Sequence, residues 1–393
     1  MLSQINTLPS RTFRISGLDP VAGHFMKILL KEMRQNPLLW MLVFVPAVLV
    51  AERIAHSAHT LLFVLAVLAI VPLASLLSHA TEAVAEKTGD AVGGLLSATL
   101  GNLTELIIAL TALHAGEYML VKASIAGAIV TNSLFMLGVS FLLGGLRYHV
   151  QDYNRAGGRL YSALLLMATI ALLAPTAVVD LDPTRGDGMA QKLSAALAVL
   201  LIAGYCLGLL FSIKTHRELF ASAEDHGETK GTSWPLGLAI GTLLAATVLV
   251  ALVSEIFVES VQKAAETFGM SPAFVGFIIV AIVGAAAEMT VAFSAARRDR
   301  LDMSVSIALG SASQIALFVA PVLVLLSYVI GPAPMDLQFW PGAVKMVMIA
   351  AVTTAFVTNG GRSAWFIGVL LVFIYVIFAM TLYMVPPGSH SPV

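Results

Sequence analysis

Charged residues are scarce in this chain. They make up 11% of its 393 residues, whereas a soluble globular protein carries about 25%. So few charges cannot cover the surface of a water-soluble protein of this length. The chain also has a single cysteine, Cys206, which excludes an internal disulfide framework and most zinc-cluster motifs. Its net charge of −1 gives no indication of a nucleic acid or another highly charged partner.

Long runs without Asp, Glu, Lys or Arg are the most prominent feature that is present. Four of these runs are 160–179, 193–213, 231–254 and 303–335. A helix of about 20 such residues spans the hydrocarbon core of a bilayer. A soluble domain contains one or two buried helices of this kind, and this chain has many more. The sequence therefore predicts an all-α polytopic membrane protein.

We predict eleven transmembrane helices, which are 38–54, 60–86, 95–115, 119–147, 158–180, 189–215, 232–257, 270–297, 302–330, 338–358 and 362–385. A hydrophilic, acidic connection follows the sixth helix and leaves five helices on each side, after one leading helix. The predicted units are an N-terminal cytoplasmic segment 1–36, a first helix within 37–57, a first five-helix repeat 58–215, a cytoplasmic linker 216–231 and a second five-helix repeat 232–387.

The distribution of Lys and Arg predicts the orientation. If the N-terminus is inside, sixteen of these residues fall in inside segments and six in outside segments. Cytoplasmic loops carry the excess of Lys and Arg, so we expect a cytoplasmic N-terminus and, with eleven helices, a C-terminus outside. The short chain without an evident targeting extension favours a prokaryotic plasma membrane, and a vacuolar membrane is the alternative.

Two segments of the sequence repeat each other. Each has a Gly-x-x-x-Glu motif, then a Ser-Ile pair and then a side-chain amide. The two sets are Gly101, Glu105, Ser124 and Asn132, and Gly284, Glu288, Ser306 and Gln314. Because each half contains an odd number of helices, the second copy has the opposite orientation. This is the inverted-repeat plan of secondary transporters, whose binding site lies at mid-membrane where the repeats meet.

Glu105 and Glu288 are ionisable residues within apolar segments. An ionised group at the bilayer centre costs about 3 kcal/mol or more, and such residues are usually functional. The alternative is a pair of neutral, hydrogen-bonded carboxyls with a structural role only. Burial disfavours the ionised carboxyl and a bound cation favours it. The pair of glutamates can therefore bind protons or a cation, but binds the two at the same time only poorly. This competition is the minimum physical requirement of a cation–proton antiporter.

A Ca²⁺ ion takes six to eight oxygen ligands. Besides the two glutamates, the candidates are backbone carbonyls and the side-chain oxygens of Asn102, Thr104, Asn132, Ser311, Ser313 and Gln314. Gly101 and Gly284 lie four residues before the glutamates. We expect them to let each helix open and free carbonyls for the ion, or else to permit close helix packing.

At these positions the sequence resembles the Ca²⁺/cation antiporter superfamily, specifically its cation–proton exchanger branch, the CAX-type Ca²⁺/H⁺ antiporters. The resemblance is carried by segments 101–107, 121–132, 307–317 and 361–365. It implies eleven helices in two inverted five-helix repeats, alternating access and no cofactor. It also implies that Glu105 and Glu288 bind Ca²⁺ or protons in turn, and that an inward proton gradient drives Ca²⁺ out of the cytosol.

The second signature departs from the pattern of that family. It usually reads Gly-Asn-Ala-Ala-Glu-His, and here Ala285 and Met289 replace the amide and the imidazole. A Na⁺(K⁺)/H⁺ antiporter of the same fold is therefore the alternative, because a monovalent ion needs fewer charged ligands. A channel or an intramembrane enzyme is less expected. The sequence has no His-Glu-x-x-His motif and no P-loop, and titratable glutamates in an inverted repeat favour alternation over a channel.

Overall fold

The computed structural model describes residues 37–88, 90–181, 186–215 and 234–384. The predicted segment 1–36 and the acidic linker 216–231 lie outside these residues. A short 3-10 helix, Pro37–Val43, precedes the first α-helix. The helices are α1 (Phe44–Ile54), α2 (His59–Thr88), α3 (Asp90–Leu100), α4 (Leu103–His114), α5 (Tyr118–Tyr148), α6 (Arg155–Leu181), α7 (Gly186–Leu210), α8 (Leu236–Phe268), α9 (Pro272–Gly284), α10 (Ala286–Ala296), α11 (Leu301–Ser327), α12 (Pro341–Thr358) and α13 (Trp365–Met384).

Eight helices in the described part of the chain are long and apolar enough to cross a membrane. They are α2, α5, α6, α7, α8, α11, α12 and α13, and α9 with α10 forms a ninth such span, bent by 59°. This confirms the prediction of a predominantly helical membrane protein. The helix α1 and the pair α3 and α4 coincide with two further predicted spans but are individually too short to pass the same test.

Two of the predicted spans are broken rather than continuous. The break between α3 and α4 falls at Gly101 and Asn102, and the break between α9 and α10 falls at Ala285, directly after Gly284. Backbone hydrogen bonds continue into each break, from the N–H of Gly101 to the oxygen of Ser97 at 2.9 Å and from the N–H of Ala285 to the oxygen of Ala281 at 3.2 Å. The structure thus interrupts both helices next to the glycines of the two repeated motifs.

The helix α8 is longer than predicted. We expected a span of 232–257, and α8 instead continues to Phe268, for 33 residues. One side of the extension remains buried, at Ala264 and Ala265, so packing continues where the hydropathy falls. Gly269 ends the helix in the left-handed region, with φ of 65°, a conformation that glycine adopts without steric cost.

A two-stranded sheet is the part of the fold that the all-α prediction missed. Strand β1 (Val150–Asp152) pairs antiparallel with β2 (Arg362–Ala364), which joins the connection after α5 to the connection after α12. The side chain of Gln151 donates to Asp299 at 2.8 Å, in the connection between α10 and α11. These three connections therefore lie at one end of the molecule.

A second set of contacts joins the connections at the opposite end. Lys122, near the start of α5, forms an ion pair of 2.6 Å with Asp336, between α11 and α12. Lys263, near the end of α8, donates to His59 at 3.0 Å, where α2 begins. From α8 to α13, the described connections thus alternate between the two ends, as expected for helices that cross a bilayer in alternating directions.

The helices α5 and α9 cross at two glycines. A Cβ atom on Gly127 would lie 2.2 Å from the carbonyl oxygen of Phe277, and one on Gly276 would lie 2.5 Å from Cβ of Ala123. Small residues allow helix backbones in membranes to approach this closely. This crossing holds the two predicted repeats together.

Candidate cation site

The glutamate of the first repeated motif packs against the helix break that precedes the glutamate of the second. Glu105 lies in the first turn of α4 and Glu288 in the first turn of α10. A Cβ atom on Gly284 would lie 3.0 Å from Cγ of Glu105, so the first glutamate sits against the helix break of the opposite half. Glu288 follows that break by one helical turn.

Three buried oxygen atoms at this place have no hydrogen-bond partner among the described residues. They are Oε1 of Glu105, Oδ1 of Asn132 and Oε2 of Glu288. A buried acceptor without a donor costs free energy, which is largest for a charged group. A cation or a proton at these atoms removes that cost. The chemistry of the cluster therefore fits an ion that alternates with protons.

The three amides of the predicted site form one network with Ser311. Asn102 Nδ2 donates to Gln314 Oε1 at 2.6 Å, and Ser311 Oγ donates to Asn102 Oδ1 at 2.6 Å. Asn132 Nδ2 donates to Ser311 Oγ at 2.9 Å. The oxygens of Asn102 and Gln314 are thus engaged within the protein, whereas the oxygen of Asn132 is left for a ligand.

The remaining predicted residues take different places. Ser313 donates to the backbone oxygen of Tyr161 at 3.2 Å. Thr104 is buried in the first turn of α4. A Cβ atom on Gly101 would lie 3.5 Å from Gln314 Oε1, so Gly101 adjoins the amide network. Of the two predicted serine ligands, Ser311 bonds within the amide network and Ser313 bonds to a residue outside it.

Both amide residues of the repeats border a π-helical turn, which sequence reasoning did not predict. Asn132 lies within the π turn Thr131–Met136 of α5, and Gln314 directly precedes the π turn Ile315–Val319 of α11. Such turns occur frequently at functional sites. The position of a π turn in a helix depends on tertiary contacts, and the local sequence has no pattern that would reveal it.

The ligand set contains oxygen atoms alone. In the described part of the chain, no group of three or more His, Cys, Asp or Glu side chains could hold a metal ion. Two carboxyls with neutral oxygens suit a hard cation such as Ca²⁺ rather than a transition metal. Ala285, which occupies the place of Asn102 in the second half, is fully buried, and Met289 is nearly so.

The chain is similar to known cation exchangers along most of its length. The family model described as "Sodium/calcium exchanger protein" matches residues 58–214 and 238–384. A Ca(2+)/H(+) antiporter of Aphanothece halophytica is 39% identical over 359 residues, which cover 88% of this chain and 96% of the relative. The Ca(2+)/H(+) antiporter ChaA of Bacillus subtilis is 39% identical over 328 residues, covering 83% of this chain and 92% of the relative.

A solved structure has the same fold. The structure of native YfkE superimposes with a TM-score of 0.77 at 33% sequence identity, and it covers 89% of this chain and 100% of that chain. The residues that the family model matches, 58–214 and 238–384, include both helix breaks and the amide network.

Proposed function

Because this chain belongs to the sodium/calcium exchanger protein family, we propose that it is a secondary active antiporter that exchanges cytosolic Ca²⁺ for H⁺. One observation carries this proposal. Two carboxyl oxygens and one amide oxygen, from three different helices, are buried together without a donor. Relatives named as Ca²⁺/H⁺ antiporters support the choice of ions.

In this mechanism Glu105 and Glu288 bind either Ca²⁺ or protons. Two ionised carboxylates match the charge of Ca²⁺, and the free oxygen of Asn132 adds a neutral ligand. When protons replace the cation, each carboxyl becomes neutral and the cost of a buried charge disappears. The occupied site then faces one side of the membrane at a time, so that Ca²⁺ and protons move in opposite directions.

The proposed architecture has eleven transmembrane helices, arranged as one leading helix and two inverted repeats of five. Two separate matches to one family model support the division into halves. The broken pair α3 and α4 then corresponds to the broken pair α9 and α10. We place the N-terminus in the cytoplasm and the protein in a bacterial plasma membrane, with a vacuolar membrane as the alternative.

Proton flux in proteoliposomes tests the proposed function. Purified protein is reconstituted with an imposed pH gradient, and Ca²⁺, Mg²⁺, Na⁺ and K⁺ are added in turn. We expect Ca²⁺ to release protons and Mg²⁺ to be inert, because Mg²⁺ demands a tighter octahedral site and gives up water reluctantly. Proton release by Na⁺ or K⁺ without a response to Ca²⁺ would instead establish the monovalent antiporter.

A double substitution tests the departure of the second repeat from the family signature. Ala285→Asn with Met289→His restores the amide and the imidazole beside Glu288. We expect a lower half-saturating Ca²⁺ concentration, by about fivefold, since one added ligand is worth about 1 kcal/mol. The measurement is the Ca²⁺ dependence of proton release. An unchanged dependence would show that the two replacements do not affect Ca²⁺ binding.

A further inference from the structure

The π turn of α5 presents three successive polar residues, Thr131, Asn132 and Ser133. All three are completely buried. Each makes a contact with a different helix. Asn132 donates to Ser311 on α11 at 2.9 Å. Thr131 Oγ1 donates to the hydroxyl of Tyr375 on α13 at 3.2 Å, and the backbone oxygen of Ser133 accepts from Thr354 Oγ1 on α12 at 3.2 Å.

A π turn in a helix is rare and depends on its surroundings. The corresponding turn of α11, Ile315–Val319, contains apolar side chains alone. The turn Thr131–Met136 instead has polar anchors immediately before and immediately after Asn132. The aromatic ring of Tyr375 also packs on Phe135 of the same turn, with ring centroids 5.0 Å apart.

We propose that Thr354 and Tyr375 are positioning residues for ion binding. They hold the π turn so that Asn132 stays bonded to Ser311 and its free oxygen stays available to an ion. This assignment rests on the proposed function and extends the cation site to α12 and α13, which contribute none of the predicted ligands. Thr354 acts through the backbone of Ser133, and Tyr375 acts through the side chain of Thr131.

Thr354→Val removes the hydroxyl and keeps the shape of the side chain. We expect the half-saturating Ca²⁺ concentration for proton release to rise about fivefold, the effect of losing one net hydrogen bond, with the maximal rate near that of the wild type. Thr354→Ser restores the donor and is expected to restore the affinity. Tyr375→Phe, which removes the acceptor of Thr131, is expected to raise the same concentration.

Thr358→Val is the matched control. Thr358 lies one turn further along α12, where its hydroxyl contacts Ser162 at 2.7 Å and the backbone oxygen of Thr354 rather than the π turn. We expect an unchanged Ca²⁺ dependence. An equal shift in Thr358→Val would show that α12 hydroxyls act on general packing, and it would overturn the proposal.

Ca²⁺ binding in detergent tests whether Thr354 acts through Asn132. In an Asn132→Ala background, adding Thr354→Val is expected to change Ca²⁺ binding by less than about twofold, because the oxygen that it orients is gone. A full additional fivefold loss would overturn the assignment. If the wild type shows no Ca²⁺-driven proton release, the proposed function fails. If the wild type shows this release and Thr354→Val has the same Ca²⁺ dependence, only the positioning role of Thr354 fails.

Discussion

Glu105→Gln and Glu288→Gln are each expected to abolish Ca²⁺-driven proton release in proteoliposomes. Each substitution removes one of the two charges that offset Ca²⁺ and one of the two groups that exchange a proton. Loss of a buried charged partner costs about 3 kcal/mol or more, so we expect transport below about 1% of the wild-type rate at the same Ca²⁺ concentration. Proton release after Ca²⁺ addition is the measurement.

The same variants are expected to remain folded. Oε1 of Glu105 and Oε2 of Glu288 have no hydrogen-bond partner in the described structure, and a neutral amide does not bring the cost of a buried charge. Thermal unfolding in detergent should therefore match or exceed that of the wild type. Glu255→Gln, on an exposed part of α8, is the matched control and should transport normally. If Glu105→Gln or Glu288→Gln transports at the wild-type rate, the site assignment is wrong.

Gly127→Ala is expected to prevent stable folding or lower thermal stability severely. The added Cβ atom would lie 2.2 Å from the carbonyl oxygen and 2.4 Å from Cα of Phe277. Because these are backbone atoms, no side-chain rotation relieves the clash, and α5 and α9 must move apart. Overpacking of a core costs about 1–3 kcal/mol and occasionally more, and we expect the upper end here. Thermal unfolding and size-exclusion profiles in detergent measure it.

Gly241→Ala is the control for this substitution. Gly241 lies within α8, and a Cβ atom there would have nothing within 4 Å. We expect unchanged or slightly raised stability, since alanine favours a helix by up to about 1 kcal/mol over glycine. A Gly127→Ala protein as stable as this control would show that α5 and α9 do not approach as closely as the structure has them.

Much of the architecture could be predicted because its causes are local in the sequence. Apolar runs must cross a bilayer wherever their neighbours lie, so the predicted spans coincide with most of the helices. The ends of the helices do not follow from hydropathy alone. Hydropathy falls after 257, but α8 continues to Phe268 because Ala264 and Ala265 stay packed. The sheet of β1 and β2 was missed because three-residue strands with partners about 210 residues away have no periodic pattern.

The sequence could not predict which of the candidate site residues has an oxygen atom free to bind an ion. Asn102, Asn132 and Gln314 are equivalent as residue types, and the hydrogen bonds through Ser311 leave the oxygen of Asn132 alone unpartnered. Thr354 and Tyr375 had no motif that would single them out, since their partners are 221 and 244 residues away. Only packing brings such distant positions together.

The sequence by itself determined the class of protein, the repeated pair of glutamate motifs and the family resemblance. These follow from composition and from patterns within short segments. Only the tertiary structure decided where the helices break, that Glu105 packs against Gly284 of the other half, and which polar atoms find partners. Those features depend on contacts between helices that are far apart in the chain. Hydrophobicity determines that the helices are buried, but it does not determine which of their atoms come into contact.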